Sequence, residues 1–159
     1  MLDDYCKANR LSPYTVFLTA LAIYMERTTG KQDFVIGTPV LNRSNFKEKN
    51  MAGMFISTMP VRFNVDETRT FLDMCKEAGS DSMSLFRHQK HPYVKISEIY
   101  KKLTGVTDNM YKVMLSYQNA RASVAVEDKY ELKWRFSGHI QDELEIHISD
   151  LNATGNLEV

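Results

Sequence analysis

Asp33-Phe34-Val35-Ile36-Gly37-Thr38-Pro39-Val40-Leu41-Asn42-Arg43 is the stretch whose reading decides the fold. Phe34 to Gly37 reads as a short buried strand, an apolar β-forming run closed by turn residues. Thr38 to Asn50 reads as a loop, through Pro39, Asn42-Arg43-Ser44-Asn45 and Lys47-Glu48-Lys49-Asn50. A glycine-rich phosphate loop is excluded here. Pro39 removes a backbone donor, and no Gly-Lys-Ser/Thr follows.

Upstream of this strand lies a helix. Ser12 is placed to cap its N-terminal amides, Pro13 needs no partner in the first turn, and Gly30 supplies the stop. Val16, Phe17, Ala20, Leu21, Ile23, Tyr24 and Met25 make a wide apolar stripe, so the helix is expected to be largely buried. Downstream, Gly53 to Pro60 begins apolar and ends at a proline. Val61, Phe63 and Val65 then alternate with polar residues as in a half-buried strand. Thr70 to Gln89 has helical spacing, weakened in its middle by Gly79. Pro92 ends that pattern, and Tyr93 to Leu103 reads as a shorter helix stopping near Gly105.

The last third reads as β. Tyr111 to Tyr117 carries Val113 and Leu115; Leu132, Trp134 and Phe136 alternate; Leu144, Ile146 and Ile148 alternate again. The last two runs are expected to form an antiparallel hairpin across Gly138 to Asp142. The order helix, strand, strand, helix, helix, three strands predicts a mixed, mainly antiparallel sheet with helices packed on it. The chain stops at Gly155-Asn156-Leu157-Glu158-Val159, which reads as the start of a further strand, so residues 1–159 are expected to be one domain and a piece of something larger.

Composition narrows the function classes. Twenty Lys and Arg balance twenty Asp and Glu, and the balance runs +2, 0 and −2 over residues 1–50, 51–100 and 101–159. A phosphate-neutralising nucleic-acid binder would carry a basic face, so no nucleic-acid partner is expected. With 43% hydrophobic and 25% charged residues the chain is in the range of globular domains rather than disordered ones. A chain of 159 residues buries roughly 70% of its unfolded surface, enough for one sizeable core. No apolar run reaches the length of a membrane span, and Met1-Leu2-Asp3-Asp4-Tyr5 lacks the basic start of an export signal. Cys6 and Cys75 form neither a disulfide framework nor a metal pattern, which fits reduced thiols in a cytoplasm.

Four groupings are candidates for chemistry. His88 and His91 have a spacing that could share a metal on a helix, but Pro92 follows at once and no further ligand stands nearby; a helix C-terminus is the favoured reading, with no metal. Cys75 lies on an apolar stripe and reads as core rather than nucleophile. Glu127-Asp128 reads as a solvated turn. Gln118-Asn119 ends a strand, where function is often carried.

Taken in order, these stretches resemble the second half of a nonribosomal peptide synthetase condensation domain. Ser12 to Gly30 followed by Gln32 to Arg43 is similar to the family's apolar helix and its D-x-V-I-G-T-P-V-x-N-R segment. Gly53 to Arg62 is similar to G-x-F-V-N-T-x-x-x-R, with Ser57 where Asn is usual. His88-Gln89-Lys90-His91-Pro92-Tyr93 is similar to H-Q-x-x-P-F, with Tyr93 for Phe, and Tyr111 to Asn119 to a strand ending in Y-Q-N. The family's catalytic H-H-x-x-x-D-G is absent, for no two His are adjacent in the chain.

The resemblance implies an α/β fold of the chloramphenicol-acetyltransferase type, here most of the C-terminal subdomain. It implies amide formation between an acyl or peptidyl thioester and an acceptor amine. Both substrates ride on phosphopantetheine arms of peptidyl carrier domains, so no cofactor need be bound directly. Without the His half, no residue of this chain is expected to be catalytic, and the chain alone is expected to be inactive. Ser57 and Thr58, small and polar between Gly53 and Pro60, and Gln118 and Asn119 are the candidates for the wall of the arm's tunnel. Asn42, Arg43, Gly53, His88, Gln89 and Pro92 are expected to be structural. The face that meets the N-terminal half would be apolar and prone to self-association. Two alternatives stand beside this reading: a non-catalytic module that docks a carrier or partner, and a CoA-dependent acyltransferase whose base would be one of His88, His91, His139 and His147. His147, out of phase with Leu144, Ile146 and Ile148, is expected to point away from the core.

Overall fold

The computed structural model describes residues 1–119, 138–140 and 142–149. Its elements are α1 (Leu2–Asn9), α2 (Pro13–Thr29), β1 (Asp33–Val40), α3 (Phe46–Lys49), β2 (Ser57–Asn64), α4 (Phe71–Arg87), α5 (Tyr93–Thr104), β3 (Val113–Gln118) and β4 (Leu144–Ser149). Among the described residues the predicted order holds, with α1 and α3 added.

The helix ends follow their capping chemistry. Ser12 Oγ accepts the Thr15 amide at 3.1 Å at the start of α2, and Gly30, at φ 68°, closes it. Thr70 Oγ1 accepts the Asp73 amide at 3.2 Å at the start of α4. α5 stops at Gly105, which also takes the left-handed conformation that glycine tolerates best.

The sheet has the order β2-β1-β3-β4. β1 and β2 are antiparallel from Asp33 opposite Asn64 to Val40 opposite Ser57. β3 lies parallel to β1, with Ile36 opposite Val113, and β4 lies parallel to β3, with Val113 opposite Leu144. The sheet is mixed, as expected, but two of its three pairings among the described residues are parallel. The cause is the connection from β2 to β3. It carries α4 and α5 and returns the chain beside β1, running with β1 and therefore against β2. Of the expected hairpin, residues 132–136 lie outside the described residues, and the 144–148 run is β4, paired in parallel with β3.

β1 is longer than its apolar run suggested. It extends through Thr38, Pro39 and Val40, because β2 pairs with it over the full eight residues. The expected loop at 38–50 therefore starts only at Leu41, and it contains α3. Pro60 sits inside β2 because β2 is the outermost strand in the sheet order, where a missing amide breaks no ladder on that side.

The core lies between one face of the sheet and the helices. Leu18, Leu21 and Ala22 of α2 pack with Ile36, Val61, Val113, Leu115 and Ile148. Cys75 of α4 and Cys6 of α1 are buried free thiols, and burial raises both pKa values, as expected of core residues. The opposite sheet face carries α5 at its β2 end. No described helix is long and apolar enough to cross a membrane.

Candidate functional site at the carboxyl end of the sheet

β1, β3 and β4 run parallel and finish at the same end of the sheet, where β2 begins. Val40 faces Ser57, and Gln118 faces Ser149. This end therefore collects Ser57 and Thr58 with Gln118 and Asn119, two pairs distant in sequence. Carboxyl ends of parallel strands commonly form crevices, because the chain leaves them in divergent loops.

Strand alternation sorts the four. Thr58 shares its face with Pro60 and Arg62, the face away from α2 and α4, whereas Ser57 alternates with Thr58 and lies in phase with the buried Met59 and Val61. Gln118 is on the far face too, and its Nε2 reaches Ser116 Oγ at 3.5 Å. Asn119 is exposed just past β3. Thr58 and Gln118 are thus brought to one face, two strand spacings across and two residues along the sheet, about 12 Å apart. The pair Ser57-Thr58 is split between faces.

The far face is polar along β3 and β4. Ser116 is buried and opposite His147, while Met114 is opposite Glu145. His147 Nε2 lies 3.5 Å from Glu145 Oε2. His147 is on the face away from the core, as expected from its phase.

Tyr111 closes this face over β1. A Cβ added at Gly37 would fall 2.6 Å from Tyr111 Cε2, so the ring occupies the place of a side chain at 37. Tyr93, first residue of α5, flanks it with ring centroids 5.5 Å apart and planes at 52°. Burial raises the Tyr111 pKa, the neighbouring Thr58 hydroxyl works against that rise, and Tyr93, Asp142 and Glu145 add to it. Asp142 is itself raised, by burial first and by Glu145 second. Beside Tyr111 a groove of about 920 Å³ runs beneath α5, lined by Val35, Pro60, Tyr100 and Met110.

Beyond Val40 the chain is held by an ionic clamp. Asn42 takes the left-handed conformation at φ 52°, turning Arg43 back into its own loop. Arg43 donates to the carbonyls of Glu48, of Met51 at 2.6 Å and of Gly53 at 2.8 Å, and its guanidinium lies 4.2 Å from the centroid of Phe55. The planar fork of Arg suits several fixed carbonyls at once. Glu48 Oε2 accepts the Ser44 amide at 2.7 Å and Lys90 Nζ at 2.8 Å, and Lys90 also donates to the Asn42 carbonyl at 2.8 Å. The Lys90 bond, then that of the Ser44 amide, lowers the Glu48 pKa to about 2. Around this polar centre Leu41, Phe46, Met51, Met54 and Ile56 are exposed, Met54 by 93% and Phe46 by 83%.

Of the residues expected to be structural, Asn42, Arg43 and Gly53 belong to the clamp directly. His88 ends α4, Gln89 turns, and Pro92 opens α5, so the turn presents Lys90 to one loop and Tyr93 to Tyr111. Among the described residues no group of three or more His, Cys, Asp or Glu is placed to hold a metal.

Sequence reasoning passed over Glu48, Lys90, Ser116 and Tyr111. Glu48 had a signal, since Asn45 stands three residues before it as in a capping box, and Asn45 Oδ1 does accept the Glu48 amide at 2.9 Å. Tyr111 had an indirect one, since a glycine inside a strand marks a close approach. Lys90 and Ser116 had none, because their partners are set by the tertiary fold.

The profile of the family described as Condensation domain matches residues 1–157. Surfactin synthase subunit 1 of Bacillus subtilis (strain 168) is 35% identical over 156 residues, covering 98% of this chain and 4% of that protein. The condensation domain of the monacolin K polyketide synthase MokA superposes with a TM-score of 0.67 at 22% identity, over 76% of this chain and 29% of that one. A variant of the starter condensation domain of rhizomide synthetase RzmA, solved in complex with C8-CoA, superposes with a TM-score of 0.58 at 25% identity, over 67% of this chain and 24% of that one. The chain thus spans a small part of each of these relatives.

Proposed function

The chain belongs to the condensation-domain family, and from that membership we propose that residues 1–159 form most of its C-terminal subdomain, one wall of an amide-forming site in a nonribosomal peptide synthetase. The observation that carries this reading is the convergence of Thr58 and Gln118 on one sheet face, at the end where the clamped loop presents its apolar side chains. In the reaction an amine nitrogen attacks a thioester carbonyl. The C–N bond forms, the C–S bond breaks, and the thiolate leaves with the proton that the nitrogen loses. Orienting the two reactants and stabilising the developing oxyanion are the demands on the protein. Thr58, Gln118 and Asn119 can orient an arm by hydrogen bonds. No residue here matches the family's catalytic His motif, so the proton transfer falls to the N-terminal half. Partners are that half and the peptidyl carrier domains whose phosphopantetheine arms bring both substrates. Leu41, Phe46, Met51, Met54 and Ile56 are the surface offered to the N-terminal half.

The test is reconstitution. This chain is mixed with a separately produced N-terminal half bearing H-H-x-x-x-D-G and with loaded donor and acceptor carriers, and amide product is followed by mass spectrometry. Product is expected only when both halves are present. Turnover by this chain alone, or none with a half that binds it, overturns the proposal.

A second reading concerns the donor. The complex of the rhizomide starter domain with C8-CoA favours a donor that arrives as an acyl-CoA thioester, whose terminal arm is the same pantetheine. Replacing the loaded donor carrier by C8-CoA in the same reconstitution decides between them.

A further inference from the structure

We infer that the clamped loop and the turn between α4 and α5 form a basic docking surface, which the N-terminal half meets with an acidic rim around an apolar pocket. The inference rests on the reading of Leu41, Phe46, Met51, Met54 and Ile56 as the surface offered to that half, and it deepens that reading by naming the partner's charge. The chain as a whole is neutral, but its charge is unevenly spread. Residues 41–60 and 87–92 hold Arg43, Lys47, Lys49, Arg87 and Lys90 against Glu48 alone. Lys90 donates to Glu48 Oε2 and to the Asn42 carbonyl, so the two segments are tied into one end of the molecule. The same contact occupies the only carboxylate of the two segments. Lys47 and Lys49 lie on the single turn of α3 that carries Phe46, and Arg87 ends α4. All three cations are exposed, and among the described residues none of them has an ion-pair partner.

An apolar centre inside a charged rim is the anatomy of a protein–protein interface. The centre supplies affinity through buried anchors, and the rim sets which partner is attracted and how fast. Charge separates the occupants that such a face could take. A second copy docked by the same face would bring Lys47, Lys49 and Arg87 against their own counterparts, because an isologous contact pairs a patch with itself. Like charges across an interface oppose association. A nucleic acid would satisfy the cations through its phosphates and leave Phe46, Met51 and Met54 without an apolar partner. An acidic protein surface with an apolar pocket satisfies both, and the flexible Met51 and Met54 side chains adapt to the shape of such a pocket. Because the cations stand in solvent, their effect falls mainly on the rate of association.

The test is the association rate of this chain with a separately produced N-terminal half bearing H-H-x-x-x-D-G, followed by stopped flow as salt is raised. For the unsubstituted chain the rate should fall at least about tenfold between about 0.01 M and about 1 M salt, as the screening length shrinks from roughly 30 Å to roughly 3 Å. Lys47→Glu with Lys49→Glu and Arg87→Glu should slow association roughly ten- to a hundredfold at low salt and match the unsubstituted chain at high salt. Dissociation should change much less, and the melting temperature should stay within about 4 °C. Lys47→Gln with Lys49→Gln and Arg87→Gln should give an intermediate rate, and this variant carries the test if charge reversal disturbs the clamp. A rate indifferent to salt, or unaltered in both variants, overturns the inference while the loop still seats the N-terminal half. Faster association after charge reversal overturns it as well, since the partner would then be basic. A dimer of this chain that Phe46→Ser with Met54→Ser dissolves gives the face to a second copy and overturns it. No association at any salt concentration overturns both the inference and the reading it rests on.

Discussion

The ring of Tyr111 lies where a side chain at Gly37 would be, with only 2.6 Å between Tyr111 Cε2 and the Cβ position of residue 37. Neither residue can change alone. Gly37→Ala forces the ring away and is expected to destabilise the chain by about 1–3 kcal/mol, the usual cost of overpacking. In a Tyr111→Ala background the same substitution should cost far less. Denaturant unfolding of the four proteins gives the coupling, and additive losses would show that the contact does not form.

The clamp carries a pH signature. The Glu48 carboxyl is lowered from its ordinary 4.5 to about 2 by Lys90 and by the Ser44 amide and hydroxyl. A lowered carboxyl stabilises the fold above its unfolded pKa, and that contribution fades as pH falls toward the folded value. Glu48→Gln should therefore melt lower than the parent near neutral pH, and the two should converge as pH falls from 4.5 to about 2. Glu48 is half-buried and its partner Lys90 exposed, so added salt should shrink the gap in part at neutral pH. A gap that is constant with pH would count against the ion pair.

Arg43→Lys keeps the charge and loses the fork. A lysine cannot hold the carbonyls of Glu48, Met51 and Gly53 together, so residues 44–56 should open. Limited proteolysis should cut between Met51 and Met54 at least several-fold faster, while the core Leu18 and Leu115 amides keep their hydrogen-exchange protection. Equal cleavage rates would show that the loop is held by other means.

The exposed apolar loop predicts association behaviour. Phe46→Ser with Met54→Ser should weaken binding to an N-terminal half by roughly tenfold or more, as loss of two apolar anchors does, with little change in melting temperature. Sedimentation of the mixed halves reads this directly. Unchanged binding would move the interface elsewhere.

Helices α2, α4 and α5 were legible because their signals are local, whereas α1 and the one-turn α3 were not. Ser12-Pro13, Gly30, Thr70 and Gly105 state where each helix starts or stops. The length of β1 was not, because Thr38 and Pro39 become strand only through pairing with Met59 and Thr58. The site was half legible. Thr58 and Gln118 were found by motif, but the division of Ser57 from Thr58 follows from which face meets α2, a tertiary fact. Lys90 looked like one charge among many, and its importance lies in two acceptors from the loop after β1.

The parallel pairing of β1 with β3 sets an order on synthesis. Thr38 Oγ1 donates to the Leu115 carbonyl at 3.2 Å across a sequence separation of 77 residues. Translation proceeds at about 5–20 residues per second and β3 follows only after α4 and α5, so a nascent β1–β2 ribbon waits on the order of 3–10 seconds for its second neighbour. Throughout that interval the inner edge of β1, rich in Val35 and Ile36, is open to any passing strand, and a chaperone or a neighbouring segment of the same polypeptide is what must shelter it.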